Sequence, residues 1–329
     1  MRIKHLKGSY EVVVERGALS RLGDYPAHAV VTTEKLWKLF GPLPGRPIFI
    51  PEGEQAKELT VLQSLWQTFY DYGLDAQSTV IALGGGTVGD VAGLAAATFM
   101  RGIDVIQVPT TLLGMLDAAI GGKTGINFAG VKNGVGALQH PILVLADPDC
   151  LATLPAREFA SGMAEAIKSA VIADPELFEL LEQPHADIET VIRRSAQVKI
   201  DIVNGGIRDH LNYGHTFGHA LEALSNYSMV HGEAVSIGMS CAARLSLLLG
   251  KAKEDLCLRQ EHVCKVAGLP IELPDCPTEK VIAAMRRDKK SINGKLRLIL
   301  PEEIGRVSVV EGVSEDLVAS AIECVHLNL

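Results

Sequence analysis

The sequence predicts a two-domain protein in which an α/β domain with a parallel sheet precedes a helical domain. In the first half, short apolar runs alternate with helix-like segments, and after Asp147 and Pro148 nearly every segment has helical periodicity. Apolar strands that alternate with helices are typical of a parallel sheet covered on both faces. The chain has 329 residues, of which 47% are hydrophobic, so it is long enough to bury two cores.

Six apolar runs in the first half are predicted to be the strands of this sheet. They occupy residues 11–14, 29–32, 47–50, 79–83, 105–108 and 142–145. Between the third and fourth runs, residues 57–72 are predicted to form a helix, and the small-residue run 91–100 can also be helical. This alternation of strands and helices indicates the α/β class.

Six segments of the second half are predicted to be helices. They are residues 157–172, 176–182, 188–202, 215–226, 232–249 and 254–267. Pro184 and the turn Asn204-Gly205-Gly206 separate some of them. We place the domain boundary within residues 150–156. This gives an α/β domain over residues 1–153 and an all-α domain over residues 154–329.

Composition argues against several classes of partner. The formal net charge is -8 and no basic run is present, so we expect no nucleic acid as a partner. No apolar run reaches the roughly 18 residues of a membrane span, and we expect no membrane association. The six cysteines form no CxxC pair, which favours reduced thiols in the cytoplasm over disulfides or a thiolate zinc site.

A glycine-rich turn in residues 79–90, TVIALGGGTVGD, joins a predicted strand to a predicted helix. Glycines there let backbone N–H groups approach a phosphate, and the helix N-terminus adds orphan donors. The spacing of Gly84, Gly86 and Gly89 meets the dinucleotide fingerprint, with Asp104 downstream as a candidate ribose acceptor. Two alternatives stay open: the glycines serve only close packing, and Asp104 simply begins a strand.

Four residues of the helical half have the chemistry of a divalent-metal site. Glu165 is a polar residue in an apolar helix, His215 and His219 share a helix face, and His231 begins another helix. One carboxylate with two or three imidazoles is typical of a catalytic metal that keeps an open position. Spacing alone leaves open which histidines bind. Two further carboxylates are candidate neighbours: Glu222 and Glu233.

Cations and amides in glycine-rich or apolar segments predict a pocket for a small, multiply anionic substrate. Lysines in such segments are unusual in an acidic protein because buried cations need partners. Ordinary solvated lysine is the alternative, and it suits Lys289 and Lys290 best. The residues concerned are Asp117, Lys123, Lys132, Asn133, Lys168, Arg208, Asn212 and Lys289.

Together these segments resemble the 3-dehydroquinate synthase family of sugar phosphate cyclases, over nearly the whole chain. The matching segments are GEQAK (53–57), GGGTVGD (84–90), MRG (100–102), PTTLLGMLDAAIGGKTG (109–125), GVKNGVGA (130–137), DPDCLATLP (147–155), GMAEAIKS (162–169), LNYGHTFGHALE (211–222), HGEAVSIGM (231–239) and RDKK (287–290).

The resemblance implies roles by position. Glu165, His215 and His231 match the ligands of zinc, for which cobalt or another divalent ion could substitute. The residues that match the NAD contacts are Glu52, Gly53, Glu54, Lys57, Gly86, Thr87, Val88, Gly89, Asp90, Thr110, Thr111, Lys123, Lys132, Cys150, Leu151, Ala152 and Thr153. The residues that match the substrate contacts are Arg101, Asp117, Lys123, Asn133, Lys168, Arg208, Asn212, His219 and Lys289.

The resemblance also implies an architecture and a reaction. The sheet would be Rossmann-like and bind NAD, the all-α domain would bind the metal, and the active site would lie in the cleft between them. Arg101 would reach the neighbouring subunit's substrate, which implies a homodimer. The substrate would be 3-deoxy-D-arabino-heptulosonate 7-phosphate. It would undergo transient oxidation at C5 by NAD, phosphate elimination, re-reduction and an intramolecular aldol closure to 3-dehydroquinate.

One segment departs from the family pattern. An acidic stretch expected between Lys199 and Arg208 is absent, so either the loop is truly missing or a disordered segment is omitted, and Lys199 has no assigned role. Three rival functions remain. They are a sibling sugar-phosphate cyclase, a polyol dehydrogenase that would consume NAD, and a nucleotide-binding regulatory protein.

Overall fold

The computed structural model describes residues 1–5, 8–225, 228–286 and 297–326. The chain divides into two compact units, Met1–Leu154 and Pro155–Leu329. Lys289, which the resemblance assigns to the substrate, lies outside the described residues. Among the described helices, none combines the length and apolar character that crossing a membrane requires.

Seven strands form one twisted layer in the described part of the first unit, in the order β1-β2-β9-β6-β5-β3-β4. All neighbours pair in parallel except β1 with β2. The predicted parallel α/β sheet is therefore confirmed, with an antiparallel edge strand added. The strands of this unit are β1 (Arg2–His5), β2 (Gly8–Val14), β3 (Ala29–Thr32), β4 (Arg46–Phe49), β5 (Thr79–Gly84), β6 (Asp104–Pro109), β7 (Lys123–Phe128), β8 (Val131–Leu138) and β9 (Leu143–Ala146).

Both faces of the sheet are covered because its strands are apolar on both sides. Three helices belong to this unit: α1 (Glu34–Phe40), α2 (Leu59–Asp71) and α3 (Gly86–Thr98). The buried side chains of α2 and α3 pack in one core with β3 and β5, and α1 borders a second core on the other face. The burial of both faces explains why these strands lack a polar alternation.

The strands β7 and β8 form a hairpin that the sequence did not predict. Their two-residue turn, Ala129 and Gly130, has φ angles of 49° and 75°, as the turn type that favours hairpins requires. The register shifts between Ile126 and Phe128, so β8 carries extra residues in a bulge. Glycine and lysine are so frequent here that the usual strand signal is missing.

The second unit is helical, as predicted. Its helices are α4 (Ala156–Ala173), α5 (Pro175–Leu181), α6 (Ile188–Asn204), α7 (His215–Leu224), α8 (His231–Leu248), α9 (Glu254–Val266), α10 (Thr278–Arg286) and α11 (Glu315–His326). An antiparallel hairpin of β10 (Arg297–Glu303) and β11 (Arg306–Glu311) corrects the expectation of an entirely helical domain. Buried Leu298, Leu300 and Val307 anchor it, which a single short apolar run did not reveal.

Candidate functional site

Three residues predicted as metal ligands converge in the second unit. Glu165 lies on α4, and His215 and His231 are the first residues of α7 and α8. The Nε2 atoms of His215 and His231 lie 3.4 and 3.3 Å from Glu165 Oε1. The ligand atoms of all three residues lie within 4.8 Å of one another, so the group could hold a metal ion.

The geometry of this group fits a divalent metal. Zinc bonds of about 2.0–2.2 Å to nitrogen and oxygen place two tetrahedral ligands roughly 3.3–3.5 Å apart. The two distances from Glu165 Oε1 fall within that range. Glu165 Oε1 is buried, and the described structure gives it no hydrogen bond beyond these two imidazole contacts. A cation bound between the three residues would complete the surroundings of this oxygen.

Charge around Glu165 keeps two of the ligands ready for a metal. Lys168 Nζ pairs with Glu165 Oε2, and the two side chains are only 3% and 2% exposed. Burial alone would raise the pKa of Glu165, but the Lys168 ammonium and His215 hold it well below its usual range. Burial and the Lys168 ammonium lower the pKa of His215 to about 4. At neutral pH, Glu165 is therefore ionised and His215 is neutral.

Both imidazoles are oriented through Nδ1. His215 Nδ1 lies 3.0 Å from the Tyr213 carbonyl oxygen, which as an acceptor places the proton on Nδ1 and leaves Nε2 for a metal. His231 Nδ1 lies 3.4 Å from Glu222 Oε1, and Glu222 is buried. This contact gives Glu222, a candidate neighbour in the sequence, a role in orienting His231.

The start of α8 is fixed against α4, and this fixes the height of His231 relative to Glu165. Gly232 N donates to Ser161 Oγ at 3.0 Å, one turn before Glu165 on α4. A Cβ on Gly232 would lie 2.3 Å from the Ser161 carbonyl oxygen, so only glycine allows this approach. Beside it, Arg157 on α4 donates to both carboxylate oxygens of Glu233 at 2.6 and 2.8 Å.

Metal affinity is expected to increase with pH up to about 9. Burial lowers the pKa of His231, but its contacts with Glu165 and Glu222 outweigh burial and raise it to about 9. Metal binding at neutral pH must therefore displace one proton from His231. We expect the logarithm of the association constant to increase by about one per pH unit from pH 6 to 8, measured by chelator competition.

The variant Glu222→Gln provides the control for this pH dependence. It removes a carboxylate that raises the pKa of His231, so the slope should level off at a lower pH than in the wild type. An affinity independent of pH between 6 and 8 in the wild type would contradict the assignment of His231 as the protonated ligand.

His219 lies beside the metal group without joining it. Its ring centroid is 5.4 Å from that of His215, in an edge-on arrangement. The group that the described residues form contains Glu165, His215 and His231. Arg208–Asn212 forms a short 3-10 helix immediately before α7, with Arg208 exposed and Asn212 partly buried.

The shortened connection before Arg208 is a tight turn. Helix α6 continues from the partly buried Lys199 to Asn204, and Gly205 and Gly206 then reverse the chain. Gly206 has a φ of 74°, which glycine adopts without strain. The acidic stretch expected from the family pattern is absent from residues 199–208.

In the first unit, most of the fingerprint glycines serve packing. A Cβ on Gly84 would lie 2.5 Å from Val88 Cγ2, and one on Gly89 would lie 2.7 Å from Gln107 Oε1. Gly85 caps α3, and a Cβ there would lie 3.0 Å from Thr111. Close packing therefore requires glycine at these positions, and the N-terminus of α3 offers donor N–H groups to an anion.

The candidate role of Asp104 as a ribose acceptor is wrong, and the alternative that Asp104 begins a strand is confirmed. Asp104 begins β6 and pairs in register with Thr79 at the beginning of β5. Gly84 lies at the other end of β5, so Asp104 is at the opposite edge of the sheet from the glycine turn. A dinucleotide fingerprint places its acidic residue at the carboxyl edge, where the phosphates bind.

A polar cluster joins several residues predicted to bind NAD and substrate. Lys57, only 4% exposed, donates to Asp90 Oδ2 at 2.6 Å and to Asn133 Oδ1 at 2.8 Å. Asn127 Nδ2 donates to Glu54 Oε2 at 2.9 Å, and Asn127 Oδ1 accepts from Asn133 N at 2.9 Å. The structure thus brings together the 53–57 segment, α3 and the β7–β8 hairpin.

Thr110 and Thr111 follow β6 at the same edge as the glycine turn. Thr110 N donates to the Gly84 carbonyl oxygen at 3.0 Å, and Thr111 Oγ1 accepts from Gly114 N at 3.1 Å. Asp117 lies in the π-helical turn Gly114–Ala118, a rare conformation that often occurs at functional sites.

The remaining predicted residues differ in exposure. Lys123 and Lys132 are exposed, whereas Lys168 is buried. Cys150 and Leu151 are buried, and burial raises the pKa of the Cys150 thiol to about 12. The exposed Arg101 has a φ of 66°, a strained conformation for a residue other than glycine. Other exposed residues are Glu52, Gly53, Ala152 and Thr153.

Sequence reasoning missed several residues that support these sites. The Ser161 hydroxyl accepts from Gly232 N, next to His231, and the Tyr213 carbonyl oxygen contacts Nδ1 of His215. Asn127 Oδ1 accepts the backbone N–H of Asn133 on the neighbouring strand β8. Arg157, which donates to the predicted neighbour Glu233, was missed as well. Contacts between distant segments give no local sequence pattern.

The fold, the metal group and a solved relative at 30% identity identify an enzyme of the sugar phosphate cyclase class. The structure of 2-epi-5-epi-valiolone synthase from Streptomyces hygroscopicus subsp. jinggangensis, with NAD+ and Zn2+ bound, is 30% identical. It has a TM-score of 0.89 and covers 99% of each chain.

The chain belongs to the 3-dehydroquinate synthase family. Residues 47–161 match the model of the 3-dehydroquinate synthase N-terminal domain, and residues 162–291 match that of the C-terminal domain. The 3-dehydroquinate synthase of Nostoc punctiforme is 46% identical over 83% of this chain and 80% of its own length. That of a Nostoc sp. is 41% identical over 96% of each. These matches confirm the resemblance that the sequence motifs predicted.

The alignment with the Nostoc sp. protein is longer than this chain. It spans 350 positions, more than the 329 residues of this chain, so the relative has residues that this chain lacks.

Proposed function

We propose that the protein converts 3-deoxy-D-arabino-heptulosonate 7-phosphate to 3-dehydroquinate and phosphate, a step of the shikimate pathway. The observation that carries the proposal is the convergence of Glu165, His215 and His231 in a chain of this family. The greater identity to relatives named 3-dehydroquinate synthase than to the valiolone synthase favours this substrate over that of a sibling cyclase.

The two units would bind different components of the reaction. Residues 1–153 would bind NAD, and residues 154–329 would bind the metal and most of the substrate. A divalent metal on Glu165, His215 and His231 would polarise a substrate hydroxyl, and NAD would accept a hydride and return it. The family resemblance further supports a cytoplasmic homodimer in which Arg101 serves the neighbouring subunit.

The residues of this chain would hold the substrate and control its charge. Lys123 is exposed, so its ammonium can meet an anionic group. With Lys123, Arg101 and His219 on the anionic groups, the substrate phosphate could itself accept the proton from C6, and elimination would need no separate protein base. The other residues proposed to bind substrate are Asp117, Asn133, Lys168, Arg208, Asn212 and Lys289.

Phosphate release tests the proposal. The protein is incubated with 3-deoxy-D-arabino-heptulosonate 7-phosphate and a small amount of NAD, with and without a chelator. We expect release that the chelator abolishes and that added zinc or cobalt restores. A metal-loaded protein that binds NAD yet releases no phosphate would contradict the proposal.

The buried ion pair predicts how Lys168→Met behaves. The substitution leaves the Glu165 carboxylate buried without its cation, which costs about 3–5 kcal/mol in the metal-free protein. A bound metal also neutralises Glu165, so metal should raise the thermal midpoint of this variant more than that of the wild type. Unfolding is measured with and without zinc.

The exposed pair of Arg193 and Glu189 on α6 provides the control. Arg193→Met should change stability by at most about 1 kcal/mol, because exposed ion pairs contribute little. Equal effects of metal on the two variants would show that Lys168 does not neutralise Glu165.

A further inference from the structure

Lys57 is a buried cation whose partners lie on two other segments. It ends the 3-10 turn Gly53–Lys57, and its ammonium donates to Asp90 on α3 and to Asn133 on β8. The Lys57 side chain is only 5% exposed, so its ammonium is largely shielded from solvent. A shielded ammonium requires such partners, and their loss would be costly.

This ammonium fixes which end of the Asn133 amide faces it. Lysine has three donors and no acceptor, whereas an asparagine amide has an acceptor oxygen at one end and two donors at the other. Oδ1 must therefore face Lys57, as observed at 2.8 Å. The opposite end of the amide, Nδ2, can then only donate.

The backbone of Asn133 is held as well. It has a φ of 51°, lies in the bulged part of β8, and donates its N–H to Asn127 Oδ1. Bulges redirect single side chains and are common beside active sites. Asn133 is nevertheless exposed as a residue, so a ligand can approach it from solvent.

We propose that Lys57 is a positioning residue that presents the Asn133 amino group as a donor to an oxygen of an anionic or hydroxylated ligand. The inference rests on the proposed function for the identity of that ligand. It goes beyond that function by specifying the direction of the hydrogen bond. Asn133 would donate to a ligand oxygen and would disfavour a ligand group that is itself a donor, such as an amine.

Two substitutions of Asn133 separate polarity from shape. Asn133→Asp keeps an oxygen facing Lys57 and strengthens that bond, but it replaces the donor end by a negatively charged acceptor. Asn133→Ala removes both ends. At saturating NAD, we expect KM for the sugar-acid phosphate to be about 10–100-fold higher in Asn133→Asp than in Asn133→Ala. Equal or lower KM in Asn133→Asp would overturn the proposal.

A kinetic cycle tests whether Lys57 acts through Asn133. Lys57→Met should raise KM when Asn133 is present and should have little further effect on KM in the Asn133→Ala background. The affinity for NAD is measured separately because Lys57 also contacts Asp90. Lys38→Met, at an exposed lysine of α1, should leave KM unchanged. An equal rise in KM in both backgrounds would overturn the positioning role.

An unfolding cycle separates this inference from the proposed function. The midpoints of urea unfolding are compared for the wild type, Lys57→Met, Asn133→Ala and the double variant, without substrate. We expect the double variant's shift to be smaller than the sum of the single shifts. Additive shifts would show that Lys57 and Asn133 do not interact, and would overturn this inference. A wild type that releases no phosphate would instead overturn the proposed function, whatever the unfolding cycle shows.

Discussion

Replacing His215 by alanine is expected to remove the metal from the protein and abolish turnover. The substitution deletes one of the three converging ligands. Losing a partner that merely orients a ligand costs about 10–100-fold in metal affinity, so losing the ligand should cost more than about 100-fold. Metal content after dialysis and the rate of phosphate release are the two measurements.

His219 provides a matched control on the same helix, one turn further along. His219→Ala removes an imidazole beside His215 but leaves the group of three ligands intact. We expect it to retain one metal per chain while turnover falls, because we propose that His219 binds substrate. Metal lost from His219→Ala and retained by His215→Ala would reverse the two assignments.

Replacing Gly232 by alanine, which adds one methyl group, is expected to reduce metal affinity almost as much as His215→Ala does. The new Cβ would lie 2.3 Å from the Ser161 carbonyl oxygen and 2.4 Å from its Cα, which belong to the backbone of α4. Helices α4 and α8 would have to separate, and His231 would move away from Glu165. We expect Gly232→Ala to lose about 3 kcal/mol of stability and most of its metal affinity.

Thermal unfolding and metal content check this prediction. A loss of that size corresponds to a fall of roughly 6–12 °C in the midpoint. Gly23→Ala is the control, since a Cβ there meets no atom within 4 Å. Ser161→Ala loses the bond to Gly232 N but adds no bulk, so it should retain the metal. A Gly232→Ala protein with normal metal content would contradict the account.

The metal group could be predicted because its residues have unusual chemistry for their surroundings. Glu165 is ionisable in an apolar helix, and three histidines lie near helix starts. Residue spacing could not choose between His215 and His219, because both lie on one face of α7. That choice depends on where α4 and α8 lie beside α7, which the resemblance implied and the folded chain displays.

The glycine turn illustrates how a correct strand–helix prediction can carry a wrong detail. The strand, the turn and α3 all form where expected, and Gly84 and Gly89 pack closely against side chains. Asp104 satisfied the spacing and still lies at the wrong edge of the sheet. Sequence distance does not specify at which end of a strand a residue falls.

The contacts of Lys57 and Gly232 could not be predicted, since each joins segments far apart in the chain. Lys57 meets Asn133 through a hairpin whose composition gives no clear strand signal. Gly232 is one of 32 glycines, and only the approach of α4 makes it indispensable. Local patterns carry no information about such approaches.

The most direct test of the central claim is to count the phosphate released per NAD. Metal-loaded protein receives excess 3-deoxy-D-arabino-heptulosonate 7-phosphate and NAD below the amount of substrate, while phosphate and NADH are followed together. The account predicts many phosphates per NAD and no accumulation of NADH, because the hydride returns to the substrate. NADH that accumulates in proportion to substrate consumed, without phosphate, would instead identify a dehydrogenase and contradict the account.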